Sequence, residues 1–241
     1  MTSATADSPI IDSIAEGAEA DAAARSLLYE ELTRALRFPE QPFYQTIVSG
    51  ELRARLSERV GLLPYTVEGA EQLLAAITVD GADGSGGSDG SDDSYDLFQS
   101  DYVGLFDVGA GGPPCALYGG AWGGDRQKVM EETLRFYRFF GLTISPEAHD
   151  LPDQLCTELE FLHFLAFKEV EALQAGGDTG SLRRACRDFL ARHPGRWLPK
   201  ACAKLDEIDA PPLWRALVGL TSAYCNADAA YLTASEGPMK E

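Results

Sequence analysis

Apolar residues recur at helical spacing through most of this chain, and nowhere alternate as a hairpin requires. The strongest run lies between Asp150 and Ala172. On a wheel turning about 100° per residue, Leu155, Leu159, Leu162, Ala166, Val170 and Leu173 fall on one stripe. Cys156, Phe161, Phe164, Leu165 and Phe167 spread apolar surface around most of the remainder. A helix with so little polar circumference is a central one, packed on several sides. Pro152 and Asp153 mark its start, since proline suits the first turn and an acid there meets the helix dipole. Asp153, Thr157, Glu160, Lys168 and Glu171 share a narrow wet face. Glu158 and Glu169 fall beside the leucine stripe, where an unpartnered acid is costly. Each is either an anchor for an arginine on another helix or part of a site.

The same periodicity predicts helices over residues 21–38, 43–48, 51–63, 67–79, 95–106, 126–140, 181–192, 198–208 and 213–232. Prolines and glycines punctuate them at Pro39, Pro42, Gly50, Pro64, Gly141 and Pro194-Gly195. Residues 1–20 read as a mobile acidic leader, 80–94 as a flexible Gly/Ser/Asp insertion, and 233–241 as a tail. Residues 21–232 are then one domain: an all-α, compact, non-repeating bundle of about nine or ten helices. Between 109 and 124 the chain has no core of its own, yet it carries Pro113, Pro114, Tyr118 and Trp122. Those aromatics either fold back onto the helices or form a recognition loop for a peptide.

The formal charge of −18 leaves no basic stripe for a phosphate backbone, which excludes a nucleic-acid partner. Lysine is confined to Lys128, Lys168, Lys200, Lys204 and Lys240. Surplus acid with little lysine resembles proteins of salt-loving organisms; the other reading is an acidic surface that attracts a cationic partner. No signal peptide and no membrane span is legible, so the chain is expected to stay in the cytoplasm without stable membrane insertion. Its 5 cysteines form no Cys-x-x-Cys pair and read as reduced, buried thiols.

Catalytic and cofactor motifs are missing. The histidines His149, His163 and His193 make no His-x-x-x-His or Glu-x-x-His pair, so no metal site is expected. There is no phosphate loop, no Gly-x-Gly-x-x-Gly after a strand, and no Gly-x-Ser-x-Gly. Glu158 and Glu160 lie on different helix faces and cannot act as a carboxylate dyad. His163 reads as a satisfied boundary histidine. No cofactor is called for, and an apolar groove with a few acids suits peptide binding better than bond making.

Three stretches together resemble the TorD/DmsD-type chaperones, the cytosolic maturation factors of molybdopterin-dependent oxidoreductases. The first is Leu97-Phe98-Gln99-Ser100-Asp101-Tyr102-Val103-Gly104-Leu105-Phe106, followed by the glycine- and proline-containing loop to Leu117-Tyr118. The second is Tyr137-Arg138-Phe139-Phe140-Gly141-Leu142. The third is Pro152-Asp153-Gln154 followed by Glu158-Leu159-Glu160-Phe161, closed by Glu169. His193, Trp197 and Pro199 resemble the family's later His-x-x-x-Trp-x-Pro region. The chain departs from the family at Leu151 and Gln154, which replace its Glu and His, and at Gly119-Gly120, which replace a Glu-Ser.

The resemblance implies a dedicated chaperone without catalytic activity. Its partner would be a molybdopterin-dependent oxidoreductase catalytic subunit, held through its twin-arginine signal peptide or in its apo form until the cofactor is inserted. A monomer or a domain-swapped dimer is implied. Tyr102, Phe106, Pro113, Pro114, Tyr118, Asp153 and Gln154 are the expected client contacts, with Asp153 and Gln154 at an exposed helix mouth. Pro152, Glu158, Glu160 and Glu169 are the structural signature. Two alternatives stand beside this: a chaperone for a non-exported nitrate-reductase-type subunit, and a small helical nucleotide-binding enzyme, since some family members are linked to guanine nucleotides.

Overall fold

The computed structural model describes residues 17–78, 92–145 and 151–237. Among these residues the chain is all helix and loop: α1 (Ala18–Leu36), α2 (Gln41–Val48), α3 (Glu51–Gly61), α4 (Ala70–Ala75), α5 (Asp92–Tyr102), α6 (Arg126–Phe139), α7 (Leu155–Gln174), α8 (Gly180–Arg192), α9 (Pro194–Glu207) and α10 (Pro212–Glu236). A π-helical turn, Val103–Asp107, extends α5, and a short 3-10 turn, Gly119–Ala121, interrupts the following loop. The only β-type pairing among the described residues is a single bridge between Tyr118 and Gln154.

α7 is the axis of the bundle. Leu155, Leu159, Leu162, Ala166 and Val170 are all buried, as the leucine stripe requires, and α1 lies along them while α8 packs on the other side. α10 closes the bundle against α8, α9 and α4. A second focus is Trp214 on α10. Phe98, Tyr102 and Phe106 surround it at ring-centroid distances of 5.1, 5.3 and 5.7 Å, so α5 and its π-turn are riveted to α10. Burying a large aromatic side chain contributes roughly 1.5–3 kcal/mol, which makes this nest one of the firmer joints in the fold.

The helix starts and stops differ from expectation in four informative places. α9 begins at Pro194 rather than 198, because proline at the first helical position has no amide to satisfy. Its own Pro199 is tolerated one turn further in. The helix predicted over 67–79 is reduced to Ala70–Ala75, with Gly69 in a left-handed conformation just before it (φ 74°). α5 starts at Asp92, inside the segment read as a flexible insertion, and α10 runs on to Glu236, into the segment read as a tail. The remainder of that insertion up to residue 91, the leader through residue 16, and residues 238–241 lie outside the described residues.

Buried charge is concentrated where α1, α7, α8 and α10 meet. Arg25 is fully buried and donates to Glu169 and to Asp228, each at 2.6 Å. Burial works against its charge, but Asp228 and Glu169 outweigh it and hold the guanidinium pKa above its ordinary value. Arg183 takes the other oxygen of Glu169 at 2.6 Å. Tyr29 and Tyr65 donate to Asp228 at 2.5 and 2.8 Å. Every carboxylate oxygen in this cluster has a donor, which is the condition for tolerating ions in a core.

Candidate functional site

The loop between α5 and α6 is clamped onto the start of α7. Leu155 N–H donates to Leu117 O, and Gly119 N–H donates to Asp153 O, both at 2.8 Å. Asp153 Oδ2 accepts the Gly120 N–H at 2.8 Å. Tyr137 of α6 fixes the same turn by donating from its hydroxyl to Pro152 O at 2.8 Å. Gln154 caps α7, its Oε1 accepting from Thr157 N–H at 3.2 Å. Pro152-Asp153 is thus a turn ahead of the helix rather than its first turn.

Two adjacent glycines let the loop lie close to its neighbours, most tightly at Gly120. A Cβ on Gly120 would lie 2.7 Å from Arg126 Cγ and 2.9 Å from Asp153 Oδ2. One on Gly119 would lie 3.2 Å from the Trp197 ring and 3.4 Å from Glu158 Oε1. The Gly119-Gly120 departure therefore lets the loop backbone lie directly on the two acids and the indole. Trp122 closes the far side. Its Nε1–H donates to Ala116 O at 2.8 Å, its ring stacks on Trp197 (6.4 Å, 10°), and its carbonyl accepts from Lys200 Nζ at 2.8 Å.

Beneath this loop the polar groups are not balanced. Glu158 is fully buried and forms no ion pair among the described residues; its Oε2 accepts from Trp197 Nε1 at 3.1 Å. Burial raises its pKa well above the ordinary value, the Trp197 bond lowers it in part, and Asp153 raises it further. His193 is buried where α8 meets α9. Thr133 Oγ1 gives its one proton to Val129 O, so it accepts from His193 Nδ1–H at 3.1 Å, and Nε2 is left presenting a lone pair. Burial pushes the imidazole down to about 4. Asp153 Oδ1, Glu158 Oε1 and His193 Nε2 are the three buried side-chain atoms without a partner among the described residues, and all three are acceptors.

The expected contact residues divide into two groups. Pro113, Tyr118 and Gln154 are half-buried and Pro114 is exposed, so they reach the surface together with Val108 and Ala121. Tyr102, Phe106 and Asp153 do not. Tyr102 and Phe106 belong to the Trp214 nest, with the Tyr102 hydroxyl donating to Leu36 O at 3.1 Å. Asp153, expected at an exposed mouth, is fully buried because the loop folds over it. These three position the loop. The signature acids also separate: Glu169 anchors Arg183 of α8, an arginine on another helix, and Glu160 pairs with Arg37 on the wet face. Glu158 takes no arginine and uses the Trp197 indole instead. His163 is satisfied by Ser26, whose Oγ and carbonyl O both lie 3.0 Å from its Nδ1.

Residue reasoning missed Arg25 and Asp228. Their only trace in the sequence is a lone charge on the apolar face of an alanine-rich helix. No group of three or more His, Cys, Asp or Glu among the described residues is placed to hold a metal ion, and no described helix is long and apolar enough to cross a membrane.

Fold and clamp define the class first: an all-helical protein organised around a central acid-bearing helix and a loop sealed onto its start. The family follows. The model of the nitrate reductase delta subunit family matches residues 63–203, more than half of the chain, and the chain belongs to that family. It is 38% identical over 118 residues to a selenate reductase assembly chaperone protein from Thauera selenatis, covering 48% of this chain and 61% of the relative. It is 38% identical over 113 residues to a chlorate reductase assembly chaperone protein from Ideonella dechloratans, covering 46% and 58%. A perchlorate reductase assembly chaperone protein from Dechloromonas aromatica is 29% identical over 211 residues, 85% of this chain and 88% of the relative. The matches to the first two span less than two thirds of those relatives. No solved structure matches the chain.

Proposed function

We propose that this protein is a cytoplasmic, non-catalytic assembly chaperone. Its client is the catalytic subunit of a molybdopterin-dependent oxidoreductase, held through its twin-arginine signal peptide or in its apo form until the cofactor is in place. The observation that carries this reading is that the family match, residues 63–203, contains the whole clamp of loop on α7, and that the relatives named above are each described as an assembly chaperone of an oxyanion reductase. The loop offers Val108, Pro113, Pro114, Tyr118 and Gln154 as a contact surface, with Tyr102, Phe106 and Asp153 holding it in shape. An apolar contact surface on a chain of formal charge −18 suits a client segment that is apolar with a basic start.

The family's description supports the alternative of a non-exported client of the nitrate-reductase type. Calorimetric titration separates the variants: an exported client gives heat with its synthetic leader peptide, a non-exported one only with the leaderless apo-subunit. The chaperone reading fails if neither binds. Asp153→Ala is expected to destabilise the fold by about 1–3 kcal/mol, because it removes the acceptor for a largely buried amide.

A further inference from the structure

The surplus of acid over the whole chain hides one local reversal of sign. Residues 181–204 hold seven Lys or Arg against the single acid Asp188. Several of these cations are engaged within the fold: Arg183 by Glu169 and Glu236, Arg192 by Glu132, and Lys204 by Glu207. Arg196 and Lys200 are not. Both are exposed on α9, and neither forms an ion pair among the described residues. Lys200 gives one proton to Trp122 O and keeps its charge. Arg126, at the start of α6, is likewise exposed and without an ion pair among the described residues, and it packs against Gly120.

Arg196 and Lys200 line a cleft of about 20 Å³, together with Trp122, His193 and Trp197; no acid is among its lining residues. His193 makes a second demand. It is 1% exposed, and Nε2, the ring nitrogen that Thr133 does not hold, has no partner. That nitrogen wants a proton donor, whereas the two cations want an anion. The cleft has room for one water-sized group, so a donor reaches Nε2 directly or through a single water. A bare oxyanion meets only the second want. A peptide segment bearing carboxylates meets both, because its main chain supplies N–H groups. The spacing agrees. Arg196 and Lys200 are four residues apart on a helix, a rise of about 6 Å. Carboxylates two residues apart on an extended segment are separated by roughly 6.6–6.8 Å. Gly123 and Gly124, with φ of 123° and 90°, put no side chain in the way beside Lys200.

We propose that the ridge of Arg126, Arg196 and Lys200 binds an extended acidic segment of a partner protein, with alternate carboxylates on Arg196 and Lys200 and a main-chain N–H toward His193. This goes beyond the chaperone reading. A leader with a basic start is repelled here, so the ridge and the clamped loop take different segments. A short segment feels chiefly the ridge, because more distant charge is screened over about 8 Å at physiological salt. A nucleic acid long enough to reach past the ridge meets the acidic remainder of the chain.

The experiment is fluorescence anisotropy of the full chain with a short dye-labelled peptide that alternates Asp with Ala, beside the same peptide with Asn in place of Asp. The acidic peptide is expected to bind at least about tenfold more tightly at low salt, and that advantage is expected to vanish at about 1 M salt, where the Debye length is about 3 Å. Arg196→Ala is expected to weaken binding about 2–5-fold and Arg196→Glu about 5–20-fold, both with an unchanged Tm because the side chain is exposed. Equal binding of the two peptides, or full binding by Arg196→Glu, would overturn the proposal. So would displacement of the peptide by inorganic phosphate or by oligothymidylate at matched charge, which would make the ridge an unselective anion site. Self-association that Arg196→Glu abolishes would assign the ridge to a second copy and overturn it as well. Leader or apo-subunit binding that survives in Arg196→Glu while the acidic peptide fails on the unaltered chain would sink the ridge and leave the chaperone reading standing.

Discussion

Two buried polar clusters share α7 and are built on opposite principles. Around Arg25, ions of both signs are present and every carboxylate oxygen is met: Asp228 by Arg25, Tyr29 and Tyr65, and Glu169 by Arg25 and Arg183. Beneath the glycine loop no ion pair forms among the described residues, and Asp153, Glu158 and His193 each leave one buried polar atom unmet. The first cluster locks four helices together. The second places uncompensated acceptors behind a loop that this chain keeps free of side chains at Gly119 and Gly120. An enclosed group that finds its partner stabilises; one that does not raises the free energy of the folded state. The difference marks α1, α8 and α10 as frame, and the α7 entrance as the place where stability has been given up.

The largest test of that contrast is Arg25→Met. It leaves Asp228 and Glu169 without their shared cation, and urea unfolding should show a loss of about 3–5 kcal/mol. A loss below about 1 kcal/mol would mean the acids find other partners, and the frame assignment would fall.

The next test is His193. Its imidazole titrates at about 4 when folded, against an ordinary value of 6.5. Between those values the unfolded chain binds a proton that the folded chain refuses. The contribution is therefore full above pH 6.5 and is lost as pH falls toward 4, by about 3 kcal/mol in all. His193→Asn does not titrate, so the stability difference between the two proteins should change by that amount over the window. A difference that stays constant with pH would sink the assignment.

Glu158 carries the opposite sign. Its folded pKa lies above the ordinary 4.5, so its contribution is full below pH 4.5 and is lost as pH rises toward the folded value. Glu158→Gln keeps an acceptor for the Trp197 indole and removes the charge. It should stabilise by about 1–2 kcal/mol at pH 7, with the gain shrinking to nothing near pH 4.5. Thermal unfolding at several pH values reads it directly. The smallest effect belongs to the exposed Arg37–Glu160 pair, where Arg37→Ala should cost less than about 1 kcal/mol and less still in high salt. A larger loss there would show that the outer face of α7 is also part of the frame.

Much of the architecture was legible in the residues. The leucine stripe of α7, the Asp125 cap of α6, the Gly141 stop and the all-helical class follow from spacing and from cap chemistry, both of which act within a few residues. The Gly and Pro content of residues 109–124 marked a loop with aromatics, and the structure chose between its two readings in part. Trp122 folds back onto Trp197, while Tyr118 and the two prolines stay at the surface. Asp153 was misplaced for a physical reason. Its position on the wheel assumes that the helix already runs through it, yet Gln154 is the cap, and the preceding turn is buried by a loop 33 residues upstream.

By itself, then, the sequence determined where helices run, which face of each is apolar, and that acids outnumber cations, because those properties are set by neighbouring residues and by sums over the chain. Only the tertiary structure decided which acids are paired. Arg25 meets Asp228 across 203 residues of sequence and Glu169 across 144, and Glu158 meets an indole 39 residues away rather than an arginine. A buried charge is settled by whatever the fold brings within hydrogen-bond reach, and no local pattern encodes that distance.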